Sequence, residues 1–106
     1  MKTVVVFGAT GNLGAYVSLK LKDDGYNVVA VGGRKNDNGF FAEHGMSYYS
    51  VNIKEKASFD VLKEIGDVHA VCHFAGSLPS RYEYDPRDLL DSITIGTLNV
   101  LTFMRE

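Results

Sequence analysis

Three glycines spaced three residues apart near the start of the chain constrain its fold more than any other feature. They lie in the segment Gly8-Ala9-Thr10-Gly11-Asn12-Leu13-Gly14. The residues before them, 4–7, are β-branched or aromatic, which is typical of a strand buried in a parallel sheet. After the glycines, Leu13, Val17 and Leu21 recur every four residues, which predicts an amphipathic helix over residues 11–24. The glycines therefore occupy a turn from a strand into a helix.

A glycine-rich turn in this place can hold the pyrophosphate of a dinucleotide. Gly8 permits the sharp turn, Gly11 lets the phosphate approach the backbone, and Gly14 allows the helix to pack closely on the strand. The helix N-terminus then offers free N–H groups and a partial positive charge. The spacing is G-x-x-G-x-x-G instead of the tighter G-x-G-x-x-G. The alternative is a glycine-rich turn that binds nothing.

Strand and helix patterns alternate through the rest of the chain. Further strands are predicted over residues 27–31, 46–51 and 68–74, and further helices over 54–65 and 85–106, with a short helix around 40–44. The last helix has Asp85 as its predicted N-cap and an apolar stripe of Leu89, Ile93, Gly96, Val100 and Phe103. This alternation predicts an α/β, Rossmann-type doubly wound parallel sheet, containing the first four strands in the order 3-2-1-4 with flanking helices.

Composition excludes several other classes of protein. The net charge of −2 and the lack of a Lys/Arg run argue against nucleic-acid binding. The single cysteine, Cys72, rules out an internal disulfide framework. The apolar run of residues 4–7 is too short for a signal-peptide core or a membrane span. We therefore expect a soluble cytoplasmic protein.

Four segments together resemble the extended short-chain dehydrogenase/reductase family, of the NAD-dependent epimerase/dehydratase type. They are Val4-Val5-Val6-Phe7-Gly8-Ala9-Thr10-Gly11-Asn12-Leu13-Gly14, Asn52-Ile53, Val71-Cys72-His73-Phe74-Ala75-Gly76 and Gly96-Thr97. The resemblance covers nearly the whole chain. It implies that Asn52-Ile53 contacts the adenine and that residues 74–76 lie along the cofactor.

The chain departs from this family pattern in three places. Asn52 replaces an aspartate that contacts adenine, and it carries no charge. Ile93 stands where the family has an asparagine near the cofactor. The family's catalytic Ser/Thr and Tyr-x-x-x-Lys lie downstream of this segment, so residues 1–106 are predicted to be the N-terminal part of one NAD(P)-binding domain, without the catalytic half. The Tyr16–Lys20 pair fits the Tyr-x-x-x-Lys pattern, but we assign it a surface role on the first helix.

The end of the second strand favours NADP(H) over NAD(H). NAD-preferring domains carry an acidic residue there to bind the ribose hydroxyls. Here Gly32 and Gly33 occupy that place, and Arg34 and Lys35 follow. Arginine can form two charge-assisted hydrogen bonds with a 2′-phosphate. The alternative is that Arg34 is a solvated loop residue.

These observations predict a cofactor site without catalytic or metal-binding residues of its own. The predicted cofactor-binding residues are Gly8, Thr10, Gly11, Asn12, Leu13, Gly14, Arg34, Asn52, Ile53, Phe74, Ala75 and Gly76. The resemblance implies hydride transfer on a sugar-nucleotide-like or other alcohol or carbonyl substrate by the complete parent enzyme, and an inactive isolated chain. Two alternatives stay open: a non-catalytic dinucleotide-binding or sensing module, and a segment whose only role is oligomerisation.

The expected partners are the dinucleotide, a small-molecule substrate in a complete parent, and a second copy of the chain. The fourth strand would lie at the edge of the sheet with unpaired backbone N–H and C=O groups. It has no proline or inward charge that would discourage pairing with another strand. The last helix carries apolar residues in more than one direction. A homo-oligomer formed through the fourth strand or the last helix is therefore predicted. No membrane or nucleic-acid partner is expected.

Overall fold

A computed structural model of the chain describes residues 2–35, 39–74 and 86–105. The secondary-structure elements, in chain order, are β1 (Thr3–Phe7), α1 (Asn12–Asp23), β2 (Asn27–Gly32), α2 (Phe40–Glu43), β3 (Ser47–Ser50), a 3₁₀ helix (Lys56–Ile65), β4 (Ala70–His73) and α3 (Pro86–Arg105). The strands form one parallel sheet in the order β3-β2-β1-β4. The predicted fold class and strand order are confirmed.

The centre of the sheet is covered on both faces. In β1, Val5 lies beside Val29 of β2 and Val71 of β4. Successive residues of a strand point to opposite faces, and here both faces are buried, which explains the uninterrupted apolar run of residues 4–7.

Each face of the sheet carries its own apolar core. The core on the side of the 3₁₀ helix and α3 consists of Val5, Phe7, Val29, Val31, Val51, Ile53, Phe59, Leu62 and Val100. The core on the other side consists of Val4, Val6, Ala9, Val28, Ala30, Phe41 and Met46. These two cores hold the carboxyl ends of the four strands along one edge, where the candidate site lies.

The predicted helix over residues 54–65 is a 3₁₀ helix that begins at Lys56. The N–H of Ser58 donates to the carbonyl of Glu55, three residues earlier, at 3.0 Å, so the chain enters the segment with the tighter winding of a 3₁₀ helix. The predicted apolar face is confirmed, because Phe59 and Leu62 are both buried.

The predicted buried stripe of α1 is wrong at its first position. Leu13 is 59% exposed, whereas Gly14 and Ser18 are buried. At the start of the helix the backbone packs on Gly8 and Ala9 of the glycine loop too closely for a large side chain, so a small residue forms the contact. Val17 and Leu21 are only half-buried.

The predicted stripe of α3 is correct at Gly96 and Val100, which are buried, and wrong at Ile93, which is 52% exposed. Thr97 already faces His73, the last residue of β4, so Ile93 lies one turn beyond the strand. Asp85 and the side chain of Leu89 lie outside what the structure describes. Within the described part of the chain, no helix is both long and apolar enough to cross a membrane.

Candidate functional site

The glycine loop between β1 and α1 is anchored by its own backbone. Gly8 has a φ of 82°, in the left-handed region that favours glycine. The N–H groups of Gly8 and Ala9 both donate to the carbonyl of Val31 in β2, at 2.9 and 3.1 Å. The N–H of Gly11 donates to the carbonyl of Gly8 at 3.1 Å. The loop is therefore held in one shape before any ligand binds.

Gly14 and Gly11 are glycines for different reasons. A Cβ at Gly14 would overlap the carbonyl of Gly8 and lie 2.9 Å from the Cα of Ala9, so close packing of helix on loop requires glycine. A Cβ at Gly11 would meet only the Gly8 carbonyl oxygen, at an ordinary 3.5 Å. The space in front of Gly11 is therefore on the solvent side of the loop, from which a phosphate would approach the backbone.

The N-terminus of α1 suits an anion. Gly11 is the N-cap residue and makes no side-chain capping bond, and the first turn contains no acidic residue. The first turn of an α-helix has N–H groups without carbonyl partners in the helix, here those of Asn12 and Leu13, which are both exposed. These amides and the helix dipole favour a bound phosphate.

The end of β2 has no room for an acidic side chain. A Cβ at Gly32 would lie 2.8 Å from Cγ2 of Thr10 and 2.9 Å from the hydroxyl of Tyr48. The Tyr48 hydroxyl also donates to the carbonyl of Arg34 at 2.6 Å. Tyr48 thereby fixes the backbone that carries Arg34, whose side chain is exposed.

The Asn52–Ile53 segment follows β3 and is held by bonds on both sides. Oδ1 of Asn52 accepts from the N–H of Lys54 at 3.1 Å, and its carbonyl accepts from the hydroxyl of Ser58 at 2.8 Å. Asn52 is exposed, whereas Ile53 is buried and its carbonyl accepts from Nδ2 of Asn99 at 2.7 Å. The polar side chain thus faces outward from a fixed backbone.

At the end of β4 the N–H of Phe74 donates to the carbonyl of Phe7 at 2.8 Å, and Phe74 is 39% exposed. Ala75 and Gly76 lie outside the described residues. All of the described site residues follow the carboxyl ends of parallel strands, which meet at one edge of the sheet. This edge is where open α/β sheets bind their ligands.

Residues 4–106 match the NAD dependent epimerase/dehydratase family. The chain belongs to this family. The predicted resemblance is thereby confirmed.

The relatives of the chain are enzymes that are much longer than 106 residues. The UDP-glucuronic acid decarboxylase 1 of Danio rerio is 31% identical, over 94% of this chain and 24% of that protein. A crystal structure of a UDP-galactose 4-epimerase is 28% identical, with a TM-score of 0.78, over 97% of this chain and 34% of that one. The L-threonine dehydrogenase of Clostridium difficile is 25% identical, with a TM-score of 0.79, over 96% of this chain and 32% of that one. The chain therefore spans about a quarter of the length of the curated relatives it matches.

The glycine loop of this family member fits a dinucleotide. A side chain at Gly11 would extend into the open space in front of the loop, beside the N-terminus of α1. The carboxyl edge also presents an exposed Asn52 and an exposed Arg34 on fixed backbone.

His73 is the titratable group nearest this edge on β4. One ring nitrogen, Nε2, lies 3.0 Å from the hydroxyl of Thr97 on α3, and the ring meets Phe7 edge-on at 6.3 Å. Nδ1 is buried and has no hydrogen-bond partner among the described residues. Burial lowers the pKa of His73 below its usual value. His73 is therefore half-buried and hydrogen-bonded at the end of β4.

A groove among the described residues lies away from the glycine loop. This groove of about 1010 Å³ lies between the 3₁₀ helix, β4 and α3, and its apolar lining includes Leu62, Val68, Val71 and Phe103. None of the glycine-loop residues lines it. The groove follows from the position of β4, which pairs only with β1 among the described strands.

Sequence patterns did not reveal three residues that shape the site. Tyr48 holds the Arg34 backbone, Asn99 holds Ile53, and Ser18 donates to the Gly14 carbonyl at 2.7 Å. Tyr48 and Asn99 bond backbone carbonyls that are distant in sequence, and Ser18 bonds a carbonyl within its own helix. One signal was available: Asn99 is a polar residue on the apolar face of α3.

Proposed function

We propose that this chain forms the dinucleotide-binding part of an NAD(P)-dependent enzyme that acts on a sugar nucleotide or another alcohol or carbonyl substrate. The observation that carries the proposal is the space in front of Gly11, framed by the N-terminus of α1. When bound, the nicotinamide would accept or return a hydride. The substrate class is supported by the sugar-nucleotide names of a curated relative and of a structural relative.

In this proposal each segment of the carboxyl edge has one role. The glycine loop binds the pyrophosphate through backbone amides, because Gly8, Gly11 and Gly14 carry no side chain. Asn52 and Ile53 contact the adenine, and Phe74, Ala75 and Gly76 lie along the cofactor. Thr10, which packs beside Gly32, shapes the adenosine side of the loop.

The substitution Gly11→Asp tests phosphate binding without damaging the fold. Gly11 is an N-cap with φ −79° and ψ 168°, and aspartate is a good N-cap residue in that conformation. We expect unchanged or slightly higher thermal stability, together with at least tenfold weaker binding of NAD+ and NADP+ in calorimetric titration, because the carboxylate repels the pyrophosphate. Unchanged affinity in a folded Gly11→Asp protein would refute phosphate binding at this loop.

We further propose a preference for the phosphorylated cofactor, NADP(H). Gly32 cannot be extended into an acidic side chain without displacing Thr10 or Tyr48, and Arg34 stands next to it on an anchored backbone. The guanidinium would pair with the 2′-phosphate. The competing possibility is an NAD enzyme in which Arg34 is solvated.

Titration with 2′,5′-ADP and 5′-AMP separates these two possibilities. We expect tighter binding of 2′,5′-ADP, and Arg34→Ala should remove about 1.5–3 kcal/mol of that preference, as for a hydrogen bond to a charged group. Lys35→Ala is the matched control for charge. Equal binding of the two nucleotides by the unmodified chain would favour NAD.

The chain of 106 residues alone is proposed to be inactive. Its Tyr16 is 68% exposed on α1, and Lys20 pairs with Asp24 at 3.5 Å near the far end of that helix. Neither is placed at the carboxyl edge, where a proton would have to be transferred. Steady oxidation or reduction of the cofactor by the purified chain, with a panel of sugar nucleotides, would contradict this.

Self-association is also proposed, through β4 or α3. Between Ile93 and Met104 the helix has no charged residue, and five of its apolar side chains are strongly exposed: Ile93, Ile95, Leu98, Leu101 and Met104. Two copies can therefore meet along this face without repulsion between like charges. Sedimentation equilibrium should show species above 11.7 kDa as concentration rises, and Leu98→Glu should shift the protein toward the monomer. A monomer at every concentration would refute this.

A further inference from the structure

We propose that Asn99 is a positioning residue for adenine binding, acting from α3 on the segment Asn52–Ile53. The inference rests on the dinucleotide binding proposed above and extends it by naming the group that holds the base-contacting backbone in place.

Asn99 is a buried polar residue in an apolar part of α3. It is only 9% exposed, and Nδ2 donates to the carbonyl of Ile53 at 2.7 Å, across 46 positions of sequence. A buried amide that loses its partner is destabilising, so the side chain and the carbonyl depend on each other. The bond fixes the distance between the Ile53 peptide and α3.

Gly96 strengthens the same contact from one turn earlier on the helix. A Cβ at Gly96 would lie 2.5 Å from Cδ1 and 2.8 Å from Cγ1 of Ile53. The helix therefore touches Ile53 twice, at its carbonyl through Asn99 and at its side chain through Gly96. Position and tilt of the segment are both set by α3.

Asn52 is the residue of the anchored segment whose side chain would contact the adenine. Its side chain is exposed, while its backbone is held by the carbonyl bond from Ser58. A carboxamide both donates and accepts hydrogen bonds, as the edge of adenine does. Hydrogen bonds weaken steeply when distance and angle depart from their optimum, so a shift of Ile53 should weaken base binding.

The glycine loop is anchored independently of α3. Its amides bond the carbonyl of Val31 in β2, and neither Asn99 nor Gly96 contributes to those bonds. Disturbing Asn99 should therefore affect the base and spare the phosphate. A general loss of folding would affect both.

The test measures the affinities of three variants for two ligands. Binding of 5′-AMP and of ribose 5-phosphate is followed by NMR titration, which also reports weak affinities. In Asn99→Leu, which keeps the size and removes the donor, Kd for 5′-AMP should rise about five- to tenfold, while Kd for ribose 5-phosphate stays within about twofold. Gly96→Ala keeps Asn99 and displaces Ile53, and should give the same split.

Thr102→Val is the matched control. It removes a bond from the Thr102 hydroxyl to the Leu98 carbonyl within the same helix, at 2.9 Å, and should change neither affinity. Equal changes for both ligands, or no change, in Asn99→Leu and Gly96→Ala would overturn the positioning role. If Asn99→Leu does not fold, Gly96→Ala alone decides, because alanine favours the helix. Failure of the unmodified chain to bind either ligand would instead refute the proposed function, and this inference with it.

Discussion

Val5 and Val71 are paired neighbours in the sheet, but their surroundings differ. Val5, in β1, has strands on both sides and is fully buried, whereas Val71, in β4, has a described strand on one side only and is half-buried. The side chains are the same. Position in the sheet, more than hydrophobicity, therefore decides how much apolar surface a residue loses to the core.

The same contrast separates two ways of building a site. At the centre of the sheet, the glycine loop is held by backbone bonds to Val31 and by the close approach of Gly14 to Gly8. Helix α3 is instead attached through side chains, by the contact of Thr97 with His73 at the end of β4 and by that of Asn99 with Ile53 after β3. The first region tolerates no added atom at Gly14, whereas the second depends on individual polar pairs.

The largest effect should come from adding one methyl group at the glycine loop. In Gly14→Ala the new Cβ meets the backbone of Gly8 and Ala9, which cannot move as a flexible side chain can. We expect a loss of about 3 kcal/mol of unfolding free energy, near the upper end for overpacking, measured by urea denaturation.

Gly33→Ala is the matched control for Gly14→Ala. A Cβ at Gly33 has nothing within 4 Å, so the change in unfolding free energy should stay within about 0.5 kcal/mol. Similar losses for the two variants would show that the loop is no more tightly packed than an open turn, and the contrast between the two regions would fail.

A smaller difference in unfolding free energy is expected between alanine variants of the paired residues Val5 and Val71. Val5→Ala should cost about 2 kcal/mol, from the lost transfer free energy of about 0.8 kcal/mol per buried carbon together with a cavity contribution. Val71→Ala should cost about half as much, because its side chain is already partly in solvent and the site can collapse. Both losses are measured by urea denaturation at one protein concentration.

Equal costs for the two valines would contradict the edge position of β4 in solution. Such a result at high concentration, together with a smaller cost for Val71→Ala on dilution, would indicate that a second copy covers Val71. The valine comparison would then report on self-association as well.

The smallest effect should be a dependence of stability on pH at the β4 edge. Burial lowers the pKa of His73 in the folded chain, so below about pH 6.5, the ordinary pKa of histidine, the unfolded chain binds the proton more readily. Unfolding free energy should therefore fall as pH decreases from that value. His73→Gln should remove this part of the slope in thermal melts between pH 5 and 8, and an unchanged slope would show that His73 is solvated.

Much of the architecture was predictable because it depends on local patterns. Residues 4–7 and 27–31 are apolar without interruption, which indicates strands covered on both faces, and the glycines between strand and helix indicate the turn. The strand order 3-2-1-4, expected for the first part of a doubly wound sheet, is confirmed.

The errors occurred where periodicity was used to choose a helix face. Leu13 and Ile93 continue apolar stripes in the sequence but are exposed in the fold. Periodicity states which residues share a face, and it does not state how close the helix comes to the sheet or where the strand ends. At Gly14 the approach is too close for a large residue, and at Ile93 the strand has already ended.

The sequence by itself determined the order of elements, the parallel sheet, the glycine turn and the family, since these follow from hydrophobic periodicity and from residues adjacent in the chain. Only the tertiary structure decided that Tyr48 supports Arg34, that Asn99 holds Ile53 and that His73 faces Thr97. Those contacts join residues 14, 46 and 24 positions apart, and a hydrogen bond depends on tenths of an ångström. Such distances are set by the packing of whole helices and strands, which no local pattern encodes.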